Sequence, residues 1–378
     1  MKLLNLAVAI ILILGLVGCG NSGITGEVVV EPTQEVVKIG WIGALTSSEA
    51  SLGIANFRGV ELAVEKLNAQ GGIDGKKVEL VHYDDRHEAT KAVTAYKKMK
   101  DVDGVDAFIV SGYDSLFALA PMADADKVAV INGLDSSEEI ADAGEFAFGI
   151  GIYDEGVGYS LADFTFDELE KKEVAVLYQN SGFMVLTKET FKEKFESVGG
   201  EVVIEDVYEP EQSDFRSMLI KAQRTGVDTF LVMGYDEVGL LLKQAKEMGI
   251  EGTFLTIDTA TSLNFVENAQ GADDGLYFTF WETGDDLESQ QFLTEFRVKY
   301  GEDPEAVLFT ATGYDSMMFL AESIDEAGVA KGDELKAGMH SVALKGLTGT
   351  LSMDDDGIVR SINEVMYQNV EGEFVKLS

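Results

Sequence analysis

Three histidines, one cysteine and 67 acidic residues set the chemistry that this 378-residue chain could attempt. The densest grouping of potential metal ligands is His82, Asp84, Asp85 and His87, a donor set that could suit zinc. The plainer reading, adopted here, is a strand end at which Asp84 and Asp85 cap a helix starting near Glu88, with both histidines at the surface and no metal. The run Asp354, Asp355, Asp356 lacks the alternate spacing and distal glutamate of a calcium loop and reads as a solvated turn. No Gly-x-Ser-x-Gly elbow offers a nucleophile, and no Gly-x-x-x-x-Gly-Lys loop offers a phosphate cradle. The glycines at 149, 151, 156 and 158 have the wrong spacing for a dinucleotide loop. The chain therefore reads as a non-enzyme that needs no cofactor.

A different signal comes from loops that leave predicted strands at their carboxyl ends, the edge where doubly wound sheets hold ligands. Four of them carry hydroxyls, amide-rich turns or single acids: 46–49, 111–115, 132–137 and 258–261. Ser115 is expected to open a helix, where its hydroxyl and the neighbouring backbone N–H groups would make an anion site. Asp258 follows a strand of a later series. One part of the chain could thus hold a carboxylate and another an ammonium group.

The elements that must position these loops alternate β-branched runs with amphipathic stretches, the pattern of an α/β fold with parallel sheets and crossover helices. Strands are predicted over 36–43, 78–83, 107–110 and 128–131, and the first helix shows Phe57, Val60, Val64 and Leu67 on one face before stopping at Gly71 and Gly72. After 146–150 a second series follows, with strands at 174–178, 202–207, 229–233 and 254–257. The short connection from Gly151 to Asp154 reads as a hinge between two similar lobes. Helices over 287–300 and 307–327 precede a β-rich tail with a turn at Asp354 to Gly357.

Composition narrows the partners. A net charge of −38 excludes a basic nucleic-acid surface and a polybasic membrane patch. With 46% hydrophobic and 25% charged residues the chain is globular, and its length suits roughly two domains of about 150 residues. Residues 1–18 read as a signal segment: Lys2, an apolar run too short to span a bilayer comfortably, then Leu16-Val17-Gly18 before Cys19. That ending resembles the bacterial lipobox, which makes Cys19 the lipidated mature N-terminus and 19–35 a flexible tether.

The ordered set of motifs resembles the branched-chain amino-acid-binding (leucine/isoleucine/valine-type) periplasmic substrate-binding proteins of ABC transporters. It is carried by residues 59–80, with Asn68-Ala69-Gln70-Gly71-Gly72-Ile73-Asp74-Gly75-Lys76 at its centre, followed by Tyr83-Asp84-Asp85. Further matches are 174–178, Asp214-Phe215, 244–249 and Thr312-Gly313-Tyr314-Asp315-Ser316-Met317. The resemblance covers almost all of the mature chain. It implies two Rossmann-like lobes with a hinge, the type I periplasmic binding protein fold, with lobes at 36–153 plus 282–345 and 154–281 plus 346–378. It implies an exported receptor, lipid-anchored at the outer face of the cell membrane or in the periplasm. Such a receptor, a monomer, would trap an aliphatic amino acid and hand it to permease subunits driven by a cytoplasmic ATPase. The alternative it leaves is a ligand-sensing receptor domain for amides or other small organic solutes.

By the same resemblance, Ser115 and Ser136 would hold the α-carboxylate with backbone atoms near Leu134. Asp258 would pair with the ammonium, and Phe183, Tyr235 and Leu52 would line the side-chain pocket. Two departures stand out. Ser47-Ser48 replaces the usual Gly-Pro pair of the first loop. Asp135, beside Ser136, would repel a carboxylate if it faced the cleft: either it points to solvent, the reading preferred here, or the ligand is cationic or not an α-amino acid.

Overall fold

The computed structural model describes residues 36–46, 50–210, 212–281, 286–360 and 364–377. The expected signal segment 1–18, Cys19 with the tether 19–35, and loop residues Ser47, Ser48 and Glu49 lie outside them. From Val36 the chain lays down β1 (Val36–Gly43), α1 (Ala50–Ala69), β2 (Lys77–Asp84), α2 (Ala89–Lys98), β3 (Ala107–Ser111), α3 (Tyr113–Asp126) and β4 (Val130–Asn132). The two-residue β5 (Asp135–Ser136), the short α4 (Glu138–Ala141), β6 (Ala147–Gly149) and β7 (Ile152–Tyr153) complete this part. A parallel sheet forms in the order β2-β1-β3-β4-β6. Its inner strands are near-continuous apolar runs because both faces are covered, and β3 is buried at every position, while the edge strand β2 alternates with exposed residues. On α1, Val60, Val64 and Leu67 are buried as the spacing requires. The helix stops where Gly71 and Gly72 take φ of 108° and 84°, a conformation that needs no Cβ, and the Gly72 N–H returns to the Leu67 carbonyl.

The second series begins with α5 (Asp154–Asp163) and runs through β8 (Glu173–Gln179), α6 (Gly182–Ser197), β9 (Glu201–Tyr208), α7 (Arg216–Thr225) and β10 (Thr229–Met233). It continues with α8 (Glu237–Glu247), β11 (Thr253–Thr256), a 3-10 turn at Asp258–Thr261, α9 (Leu263–Ala269) and β12 (Tyr277–Trp281). Then come α10 (Leu287–Tyr300), α11 (Val307–Ala327), α12 (Gly332–Ser341), the hairpin β13 (Ala343–Lys345) and β14 (Thr350–Ser352), and finally β15 (Glu364–Val370) and β16 (Glu373–Lys376). The second sheet is ordered β16-β15-β12-β11-β10-β8-β9. Without the antiparallel β15 and β16 it repeats the order of the first, with its opening strand between the second and third.

The last helices return to the first sheet. Phe292, Phe296, Ala311, Met317 and Leu320 join the core around β1 and β3. α1 and α11 cross closely at two glycines: a Cβ on Gly59 would lie 1.9 Å from the Thr310 carbonyl oxygen, and one on Gly313 would lie 2.1 Å from that of Asn56. Leu347, Leu351, Met353, Ile358 and Val359 also pack in this core, beyond position 345 where the sequence reading ends the lobe. Asp315 holds that segment by accepting from Leu347 N–H at 2.9 Å, Thr348 N–H at 2.8 Å and the Thr348 hydroxyl at 2.7 Å. Where the chain passes between the sheets, Gly149 bonds the backbone on either side of Ile358, donating to the Gly357 carbonyl at 3.2 Å and accepting from Val359 N–H at 3.0 Å.

Candidate functional site

The carboxyl ends of β2, β3 and β4 gather the first group of candidate residues. Asp84 and Asp85 do not cap the next helix, as the sequence suggested; α2 begins at Ala89 behind Glu88, which makes no side-chain cap. Asp84 instead ties down the loop after β1, accepting from Leu45 N–H at 2.9 Å and from the Thr46 hydroxyl. Asp85 is fully buried and accepts from the Ser115 hydroxyl and from His87 N–H at 2.9 Å. Of the two histidines, His82 is exposed and packs on Phe57 with ring centroids 4.8 Å apart. His87 is not at the surface: it is half-buried, in a left-handed turn with φ of 55°, its imidazole against Gly112. Among the described residues no three His, Cys, Asp or Glu side chains gather as a metal site.

Ser115 is the third residue of α3 rather than its cap, which is Gly112 with φ of 137°. Its hydroxyl proton goes to Asp85. The loop after β4 is organised by Asn132, whose Oδ1 accepts from Leu134 N–H at 3.0 Å and Asp135 N–H at 3.3 Å, the side-chain turn that asparagine forms at a strand end. Its Nδ2 lies 3.4 Å from the Asp135 carboxylate. The Leu134 carbonyl accepts from Ile152 N–H at 2.9 Å, and the buried Ser136 hydroxyl reaches the Gly149 carbonyl at 3.5 Å. The backbone of Leu134 is thus already engaged. The loop is fastened from behind by Asn56, which takes the Trp41 indole N–H at 3.0 Å and donates to the Gly133 carbonyl at 2.7 Å, all in the core.

Asp135 does not stand out in solvent. It is half-buried beside Asn132, with His87 and Tyr113 near its charge. Burial raises its carboxyl to about 6, opposed by the Asn132 amide and then by His87. Tyr113 donates its hydroxyl to Asp154, the buried first residue of α5, and so links the start of the second series to the first sheet. Burial and then the Asp154 and Asp135 charges push the Tyr113 hydroxyl far above its ordinary range. Sequence reasoning missed Tyr113, Asn132 and Asp154 as partners here. Only Asn132, an asparagine before Gly133 at a strand end, carried a local signal.

A second junction lies beside this one. Arg360 forms a two-pronged pair with Glu138 at 2.9 and 2.7 Å, pairs also with Asp354 and Asp356, and lies over the Tyr153 ring at 5.9 Å. Tyr153 donates to the same Glu138 at 2.6 Å, and Glu138 N–H donates to Glu155 at 3.1 Å. Helix α4 and two of the passages between the sheets meet in this network.

In the second sheet, Asp258 opens the 3-10 turn immediately after β11 and Ile257. It is half-buried, and desolvation raises its carboxyl to about 7, opposed only by the Thr259 and its own backbone N–H groups. No cation enters that balance. Tyr235 follows β10 and is 44% exposed, while its backbone N–H is held by Glu237 at 3.1 Å. Phe183 is half-buried in the first turn of α6 and packs on the core that contains Val174 and Leu231. Leu52 is half-buried in the first turn of α1.

Two sheets whose parallel strands match in order, joined by short passages, define the class with the type I periplasmic binding protein fold. The family model described as "Periplasmic binding protein" matches residues 36–366, and the chain belongs to that family of extracytoplasmic binding proteins, which are not enzymes. It is 25% identical over 340 residues to the leucine-, isoleucine-, valine-, threonine- and alanine-binding protein of Pseudomonas aeruginosa, covering 88% of this chain and 90% of that one. The isoleucine complex of LivJ, the branched-chain amino-acid transporter substrate-binding protein of Streptococcus pneumoniae, is similar with a TM-score of 0.76 and 26% identity, covering 91% and 99%. The solute-binding protein of an R. palustris ABC transporter, in complex with benzoate, shares the fold with a TM-score of 0.75 and 21% identity, covering 91% and 96%.

Proposed function

We propose that this protein is the receptor of an ABC importer, lipid-anchored through Cys19 outside the cell membrane, that captures an amino acid or a close derivative between two hinged lobes. Its closed form then docks on permease subunits served by a cytoplasmic ATPase. The lobes we assign are the first sheet with α10–α12 and the chain to Val359, and the second sheet with α5–α9 and β15–β16. Ligand acts by binding the closed arrangement better than the open one. The observation that carries this reading is Asp258: an enclosed carboxyl at the ligand edge of a sheet, raised by burial and unmatched by any cation of the described chain, has the character of a receptor for an amino group. The ligands named for the Pseudomonas and Streptococcus relatives support an amino-acid-like solute. Ser115, Leu134, Ser136 and Asp135 would face one end of it, and Tyr235, Phe183 and Leu52 its side chain.

A thermal-shift panel of amino acids, amides and small organic acids on the full-length chain tests this, because a ligand that binds only the folded state raises the melting temperature. A shift that disappears in Asp258→Ala is the expected result. A silent panel, or an unchanged shift in the variant, refutes it. Mass spectrometry of the membrane fraction tests the anchor: an intact Met1 terminus or an unmodified Cys19 would exclude it.

A further inference from the structure

One carboxylate oxygen gathers the carboxyl end of the second sheet. Glu237, half-buried at the start of α8, accepts at Oε1 from the Gln179 Nε2 at 2.7 Å, the Tyr208 hydroxyl at 3.0 Å and the Tyr235 N–H at 3.1 Å. The Tyr208 proton is shared with the Met233 carbonyl, also at 3.0 Å. Gln179 closes β8, Tyr208 closes β9, and Tyr235 lies just beyond β10, three strands that are neighbours in the sheet. Among the described residues no lysine or arginine pairs with Glu237. Its charge answers neutral donors, and what it does for the fold is to orient them.

The loop that carries Tyr235 is held from the other side as well. The Gly234 carbonyl accepts from the Thr259 hydroxyl at 2.9 Å, and Thr259 is the neighbour of Asp258 in the turn after β11. The N–H and the C=O of the one peptide unit between Gly234 and Tyr235 are therefore bonded to different elements, so that unit cannot rotate without breaking a bond. Gly234 leaves no slack either: a Cβ there would collide with the Tyr208 hydroxyl and lie 2.5 Å from Glu237 Oε1. The next residue, Asp236, accepts from the Ser262 hydroxyl at 2.6 Å and from Asn264 Nδ2 at 3.1 Å, a second stitch between the two loops. On this fixed backbone stands the Tyr235 ring, in a residue that is 44% exposed.

We infer that Glu237 is the positioning residue of the second-lobe half of the site. It sets the Tyr235 ring and, through the Gly234 carbonyl and Thr259, holds that ring in a fixed relation to the Asp258 carboxyl. It acts through those residues and not by contact with the ligand. The inference rests on the receptor reading, in which Tyr235 and Asp258 face the ligand.

Two measurements on the full-length chain test it, in wild type, Glu237→Leu and Glu237→Gln; leucine has no acceptor at this position, and glutamine keeps one. The first is hydrogen exchange without ligand. In Glu237→Leu the Tyr235 amide and those of 259–262 should exchange about tenfold faster, with β1 and β3 unchanged, while Glu237→Gln stays within about threefold of wild type. The second is calorimetric titration with L-leucine. Glu237→Leu should bind it on the order of 10- to 100-fold more weakly, Glu237→Gln should restore most of that, and the loss should shrink when Tyr235→Ala is already present, because residues acting through one another are not additive. Unchanged exchange at Tyr235 in Glu237→Leu, or a loss of the same size with and without Tyr235→Ala, overturns the inference. Should Glu237→Leu fail to fold, Thr259→Val cuts only the Gly234 end of the peptide; faster exchange at 259–262 and about three- to tenfold weaker L-leucine binding support the inference, and no change in either overturns it. No heat from L-leucine with wild type strikes the amino-acid reading of the site instead, and exchange alone then decides the role of Glu237.

Discussion

Asp258→Asn should make the ligand-free protein more stable while crippling its binding. The carboxyl is raised from 3.8 to about 7, chiefly by burial. A displacement of that size corresponds to about 4 kcal/mol of linkage, and the accessible edge of the group reduces this to about 2 kcal/mol. The sign follows from which state holds the proton. Below about pH 4 the carboxyl is protonated folded and unfolded alike. Between about 4 and 7 the folded protein keeps a proton that the unfolded chain has released, so wild-type stability falls as pH rises; above 7 the cost is constant. Asparagine has no proton to release, so the advantage of the variant grows across that window to about 2 kcal/mol at pH 8. Urea denaturation of the full-length chain without ligand at pH 4, 6 and 8 measures it. A difference between variant and wild type that stays flat with pH, or a wild type that is the more stable at pH 8, refutes the reasoning.

Three further outcomes follow from packing and hydrogen bonding. Asn56→Leu strands the Trp41 indole N–H and the Gly133 carbonyl in the core and should cost about 2–4 kcal/mol in urea denaturation. Gly59→Val places atoms where the Thr310 carbonyl now sits, forces α1 and α11 apart, and should cost about 3 kcal/mol or more, read as a lowered melting temperature. Arg360→Met removes the two-pronged pair with Glu138 and should lower the unfolding free energy by about 1–2 kcal/mol, with the loss shrinking in high salt.

Strand and helix positions were largely legible because the inner strands are buried on both faces and the helices on one. The run at 36–43 and the helices at 287–300 and 307–327 fall where periodicity placed them. The side-chain roles at strand ends were not legible, because they depend on neighbours remote in sequence. Nothing local says that Asp85 answers to Ser115, 30 positions on, or Tyr113 to Asp154, 41 positions on. Ser115 looked like a free hydroxyl at a helix start for the same reason. Asp135 looked solvent-facing because a single acid after a strand usually is; its enclosure comes from Asn132 and from the left-handed turn that brings His87 near. The packing of Leu347 to Val359 in the first core was not legible either, because its anchor is Asp315, an acid inside a helix whose pattern reads as ordinary core.

The pairing of α1 with α11 also sets a timetable. More than two hundred residues separate the two helices, and the second sheet receives β15 only after nearly the whole chain exists. At ~5–20 residues per second of synthesis, α1 waits on the order of ten seconds or longer for the partner that covers it. Neither half can finish early, since each depends on segments from the far end of the polypeptide. Until Val307–Ala327 has been made, the face of α1 that meets α11 has no native cover, and a chain cut short before it would leave that face open.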